Sequence, residues 1–121
     1  MTSRVGIGTF IIDFQSTNFD DDSKIALGML QAFQNPFEGA NPRYQNQELF
    51  VLDPPVSSAG WSFAKLFIAG QFIERLYHMH SEQIEKSKGK NFEDKFVSWL
   101  AKKLEDSKCQ AKIKIAQEMR I

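Results

Sequence analysis

The sequence holds a single cysteine, Cys109. No disulfide can form within the chain, and no cysteine cluster can hold a metal. A lone thiol suits a reducing compartment, so the cytoplasm is the expected location. Long apolar runs are missing too. The N-terminal stretch Met1-Thr2-Ser3-Arg4-Val5-Gly6 lacks the continuous hydrophobicity of a secretion signal. Nothing approaches the roughly 20 apolar residues that cross a bilayer, and no membrane partner is expected. Histidine is scarce, with only His78 and His80. Excess charge of either sign is absent: 15 basic and 15 acidic side chains cancel. A strong non-specific nucleic-acid binder needs positive excess. There are no internal repeats and no low-complexity tracts.

What is present is an ordinary globular composition with an unusual number of phenylalanines. The chain has 121 residues, 42% hydrophobic and 25% charged, with eleven Phe. One domain over residues 1–121 is expected, large enough to bury about two thirds of its unfolded surface. The Phe residues are spread along the chain and predict an aromatic-rich core. Charge is uneven. Residues 1–60 carry a net of −4 and residues 61–121 a net of +4, which permits a dipolar surface that steers a charged partner.

The pattern centres on Trp61 to Lys88. Phe63, Leu66, Phe67, Ile73 and Tyr77 recur at helical spacing, and Ile68, Phe72, Leu76 and Met79 do so on a neighbouring face. Two adjoining apolar faces predict a central helix surrounded by protein in its first turns. Val5 to Phe14 alternates like a strand through Phe10, Ile12 and Phe14; Gly6 and Gly8 mark a bend at its start. Asp20-Asp21-Asp22-Ser23 opens a helix, where acids complement the macrodipole, and the helix is expected to end before Pro36. Pro36 to Gln47 reads as a surface loop. Glu48 to Leu52 reads as a short buried strand closed by Asp53-Pro54-Pro55. Val56 to Gly60 is a small, flexible lead-in, with Ser57 and Ser58 near a helix N-terminus. Gly89 is placed to cap the central helix. Asn91 is placed to cap the next, whose apolar stripe is Phe92, Phe96, Val97, Leu100 and Leu104, with Trp99 to one side. Cys109, Ala111, Ile113 and Ile115 alternate with Gln110, Lys112 and Lys114 as a strand with one wet face.

Chemistry-bearing constellations are few. His78 and His80 lie about 200° apart on a helix and cannot share a metal. Glu74, His78 and Glu82 give i, i+4 pairs, which are ordinary surface pairs. The three aspartates lack the spacing and central glycine of a calcium loop, so no metal and no cofactor is expected. Cys109 lacks an activating neighbour. Asp13, at the end of a strand, is the best isolated catalytic position but stands without a partner.

These readings give an α+β fold, β-α-β-α-α-β, with a small sheet of about three strands against the central helix and a helical hairpin. The expected function is non-enzymatic: a module of the cytoplasmic immunity-protein, antitoxin or inhibitor type that binds a specific partner protein, with Asp20, Asp21, Asp22, Arg43 and Tyr44 as contact residues. The alternative is a nucleic-acid-associated subunit using Lys102, Lys103, Lys112 and Lys114. A third class is a small enzyme or ligand-binding protein with Asp13 or His78 beside a pocket. A homodimer is compatible with all three.

Overall fold

The structure, a computed structural model, describes residues 8–40 and 49–116, and for residues 35–40 the backbone path alone. Along the chain come β1 (Phe10–Ser16), α1 (Phe19–Ala40), β2 (Phe50–Leu52), β3 (Val56–Ser58), β4 (Trp61–Ile68), α2 (Gly70–Glu85), α3 (Phe92–Asp106) and β5 (Lys112–Ile115). The α+β class is as expected. The strand count is not: five antiparallel strands form one sheet, and the order is β-α-β-β-β-α-α-β. Across the sheet the strands run β2-β4-β1-β5, with β3 also paired to β4.

The largest correction falls on Trp61 to Lys88, expected as one central helix. Trp61–Ile68 is a strand, and the helix begins only at Gly70. An eight-residue apolar stretch satisfies both periods, and periodicity alone does not separate them. Pairing decides. β1 lies along β4 from Phe10 opposite Ile68 to Ser16 opposite Ser62. β2 and β3 share its other edge. Val56 to Gly60 is accordingly no flexible lead-in. Ser57 pairs with Ser62 across the hairpin, their hydroxyl oxygens 3.1 Å apart. Ala59 and Gly60 turn the chain with φ of 54° and 84°, and two positive φ values match the twist of a two-residue hairpin.

β2 and β3 behave as one edge strand with a bulge. Phe50 to Leu52 oppose Ile68 to Leu66, and Val56 to Ser58 oppose Phe63 to Trp61. Between them Asp53, Pro54 and Pro55 face only Ala64 and Lys65. The Asp53 N–H still reaches the Lys65 carbonyl at 3.0 Å, whereas the prolines have no N–H to give. Prolines and a bulge also blunt an open sheet edge. The strand expected to be buried at Glu48–Leu52 is thus an edge strand, and Val51 is 40% exposed.

All three helices pack on one face of the sheet. That face carries Phe10, Ile12 and Phe14 from β1 and Ala64, Leu66 and Ile68 from β4, all buried. Leu30 of α1, Phe72, Ile73, Leu76 and Ile84 of α2, and Phe96, Val97, Trp99 and Leu100 of α3 complete the main core. The aromatic character is as expected, with Phe10 edge-on to both Phe92 and Phe96. Trp99 is core rather than lateral, at 3% exposure. α2 and α3 form the expected hairpin. Tyr77 donates to Glu85 at 2.6 Å and Lys95 to the other oxygen of the same carboxylate at 3.2 Å. The Tyr77 bond is the main cause holding the Glu85 carboxyl below its usual range.

Local signals mostly behave as their chemistry requires. Asn91 accepts from Asp94 N–H at 2.9 Å and starts α3. α3 ends in a Schellman motif: Cys109 N–H bonds Leu104 C=O and Lys108 N–H bonds Glu105 C=O, each at 2.9 Å. Lys108 takes the left-handed position, φ 71°. Cys109 and Leu104 pack in one small cluster, the hydrophobic contact that accompanies this motif. This accounts for a buried thiol ahead of a strand shorter than expected. α2 stops earlier than expected, capped at Lys86. Gly89 serves the turn instead: its φ is 150°, and a Cβ there would sit 2.6 Å from Asp94 Cβ. α1 runs on through Pro36 to Ala40, although proline removes an intrahelical hydrogen bond; nothing in the structure explains its tolerance.

Candidate functional site

β4 presents two faces by strand alternation. Ala64, Leu66 and Ile68 point into the core, so Trp61, Phe63, Lys65 and Phe67 point the other way. The register places their neighbours. Val51 and Ile11 flank Phe67, Asp13 faces Lys65, and Val56 and Gln15 flank Phe63. Lys112 and Lys114 of β5 lie opposite Gln15 and Asp13. None of these apolar residues belongs to a core cluster. Phe63 is 41% exposed and Val56 70%. This second face of the sheet is therefore bare among the described residues: apolar over β2, β3 and β4, and lysine-bearing over β5. Asp13 and Lys65 form an ion pair at its middle, so that carboxylate adds no net charge there.

A lysine-lined seam borders this face where β5 meets α3. One hollow of about 970 Å³ is lined by Lys86, Lys88, Lys102, Lys103 and Lys112 together with Trp99, Ser87 and Ser98. A second of about 640 Å³ adds Lys90 and Lys114. Both are lined by Lys88, Ser98, Ala101 and Ile113, so they adjoin. Seven lysines thus stand against three carboxylates, Glu105, Asp106 and Asp94. Lys86 makes a loose 3.8 Å pair with Glu82, and Lys103 sits 5.9 Å above the Trp99 ring. Lys102, Lys103, Lys112 and Lys114, singled out in the sequence, all border this seam, the first two from α3 and the last two from the face of β5 turned away from it. The signal for the remaining three was a lysine run at Lys86, Lys88 and Lys90, which reads as the polar end of a helix.

The acidic cluster has another role. Asp22 is 3% exposed. One of its carboxylate oxygens accepts from Ser16 Oγ at 2.6 Å and the other from Gln110 N–H at 3.0 Å. The Cys109 thiol donates to the Asp22 carbonyl at 3.5 Å. Asp22 therefore brackets the end of β1, the start of α1 and the α3–β5 connection, and it offers a partner no surface. Asp21 accepts from Asn18 Nδ2, and Asp20 is exposed. Arg43 and Tyr44 lie outside the described residues.

The remaining candidates are not brought together. Asp13 is on the bare face and His78 is exposed on α2, and neither lines the two hollows. Burial pushes the Cys109 thiol up, away from nucleophilic use. Among the described residues no group of three His, Cys, Asp or Glu is arranged to hold a metal. His80 is the side chain that sequence reasoning undervalued. It sits at a kink in α2, with φ −129°. Its ring packs 5.2 Å from Trp99 and 5.8 Å from Phe33. Its buried Nε2 has no hydrogen-bond partner. Burial first, then the charge of Lys103, hold its pKa below the ordinary histidine value.

No described helix is long and apolar enough to cross a membrane. Compared with family models, with curated proteins and with solved structures, the chain matches none.

Proposed function

We propose that the protein is a non-enzymatic, cytoplasmic binding module that docks a specific partner protein on the bare face of its sheet. The observation that supports this is the concentration of exposed apolar side chains there. Val51, Val56 and Phe63, three of the four large hydrophobic residues left exposed among the described residues, all lie on that face, beside half-buried Ile11, Trp61 and Phe67. Contiguous exposed apolar patches mark interaction sites. Trp and Phe are favoured at interface cores because they bring large area at low entropy cost. The face carries one carboxylate, Asp13, already paired with Lys65, which suits a protein surface better than a reacting small molecule. An immunity-protein or inhibitor role agrees with this reading. It moves the contact surface from the acidic turn of α1 to the opposite side of the sheet.

The test is capture from nuclease-treated native extract with the wild-type chain and with Phe63→Asp. A protein retained in stoichiometric amount by the wild type and lost with the folded variant supports docking on this face. Equal retention by both chains refutes it. If the partner is a second copy, sedimentation shows a dimer that Phe63→Asp dissociates.

A further inference from the structure

We propose that the seam between α3 and β5 is a second, independent binding site, and that it takes the phosphodiester backbone of a single-stranded nucleic acid. The argument begins with cost. Lys86, Lys88 and Lys90 come from the end of α2 and the turn after it, Lys102 and Lys103 from α3, and Lys112 and Lys114 from β5. Three parts of the chain thus bring like charges to the rims of two adjoining hollows, Lys112 and Lys114 from the face of β5 turned away from α3. Like charges held together destabilise a compact fold, and a bound polyanion relieves that cost. Own-chain acids do little of that here. Lys86 alone of these lysines forms an ion pair among the described residues, and its 3.8 Å contact to Glu82 is exposed. Exposed pairs of that kind contribute little.

The shape and the chemistry of the lining choose the anion. α3 and β5 are about 22 Å and 13 Å long, from 1.5 Å and 3.3 Å per residue. The seam is therefore elongated, a path for several linked charges rather than a pocket for one. A duplex is too wide to enter a hollow between a helix and its neighbouring strand; a single strand is not. Every cation lining the two hollows is lysine. Lysine acts on phosphate as a point charge, without the geometric demand of the fork that arginine offers to carboxylate and phosphate alike, which suits a backbone read for its charge and not for its sequence. The hydroxyl of Ser98 and the side-chain NH2 of Gln83, whose oxygen is held by Trp99, also line the first hollow, and such neutral donors commonly hold phosphate oxygens. The neutral charge of the whole chain does not oppose this, because the local field, not the total, steers a polyanion.

Fluorescence anisotropy with a labelled fifteen-nucleotide oligothymidylate tests the site. Neutralising four to five phosphates gives a log–log salt slope of about −3, or roughly a 50- to 100-fold loss of affinity between 50 and 200 mM salt. Lys88→Ala with Lys102→Ala should weaken binding at least tenfold and flatten the slope by about 0.7 for each phosphate left unneutralised. Lys24→Ala, on α1 and away from the seam, should change neither. The double variant should be at least as stable to denaturant as the wild type, which separates a binding defect from a folding defect. Absence of binding at 50 mM salt, or an unchanged slope in the stable double variant, overturns the proposal. So does displacement by polyglutamate or by duplex DNA at concentrations equal to those of unlabelled strand, which would reassign the seam to acidic protein or to duplex. Phe63→Asp should leave the anisotropy signal intact, so failure of sheet-face docking and failure of this site are read apart.

Discussion

The two faces of β4 carry nearly the same hydrophobicity and different fates. Leu66 and Ile68 on one face are sealed under three helices, while Phe63 and Phe67 on the other meet no described side chain of the core. Composition does not explain this, since the bare face has the larger residues. Connectivity does. The segments after β1, β4 and α2 are all helices that return to one side, and the short β2–β3–β4 hairpin connections supply nothing for the other. A sheet face left apolar under these conditions is available for a surface from outside the described chain. The comparison also explains why Trp61, Phe63, Lys65 and Phe67 mislead a reading by periodicity. A strand with both faces apolar looks like a buried helix until its partners are known.

The sharpest way to break the comparison is to truncate the sealed face. Leu66→Ala, at a residue 1% exposed, should cost about 2–5 kcal/mol in urea unfolding, the range for a leucine removed from a packed core. A loss below about 1 kcal/mol would mean that the helices do not close over β4. Next in size is the bracket at Asp22. Asp22→Ala leaves Ser16 Oγ and Gln110 N–H without their acceptor, and should cost about 1–3 kcal/mol, the penalty for orphaned buried donors. Removing a surface aspartate such as Asp20 should stay within about 0.5 kcal/mol. Equal effects at the two sites would return Asp22 to the surface role first expected of it.

What could be read in advance follows from where the information lies. Capping is local, and Asn91 was legible because its partner is three residues away. The covered faces of β1 and α3 were legible because Phe10-Ile12-Phe14 and Phe96-Val97-Leu100-Leu104 each fit one period. β4 was not, because the choice between strand and helix rested on β1, some fifty residues earlier in the chain. Asp22 was not, because Ser16 and Gln110 approach it from opposite ends of the sequence. The lysine seam was half legible. Alternation gave Lys112 and Lys114 and the polar face of α3 gave Lys102 and Lys103, but their convergence on Lys88 needed the fold.

A smaller effect probes the sealed side from within. His80 keeps its Nε2 buried without a hydrogen-bond partner, beside Trp99 and Phe33 and near the charge of Lys103. Its folded pKa lies below its unfolded value near 6.5. Between those two values the unfolded chain binds more protons, so stability must rise with pH there. The contribution is complete above pH 6.5 and fades as pH falls through the folded value. Denaturation midpoints taken from pH 7.5 down to 5 should decline more steeply for the wild type than for His80→Phe, which keeps the ring stack and removes the titration. Parallel declines would show that Nε2 finds a partner when charged.

The smallest expected change is on the bare face, and it is the most telling for function. Phe63→Thr keeps strand propensity while removing a ring that is 41% exposed, and should alter stability by at most about 1 kcal/mol. Leu66, three residues along the same strand, should cost several times that. If Phe63→Thr instead cost as much as a core truncation, some part of the chain must already lie over the ring. The face would then be occupied by its own protein and closed to a partner. A near-neutral result leaves the ring exposed in the folded chain and requires that whatever covers it come from another molecule. That is the condition under which loss of capture by Phe63→Asp can be assigned to docking rather than to folding.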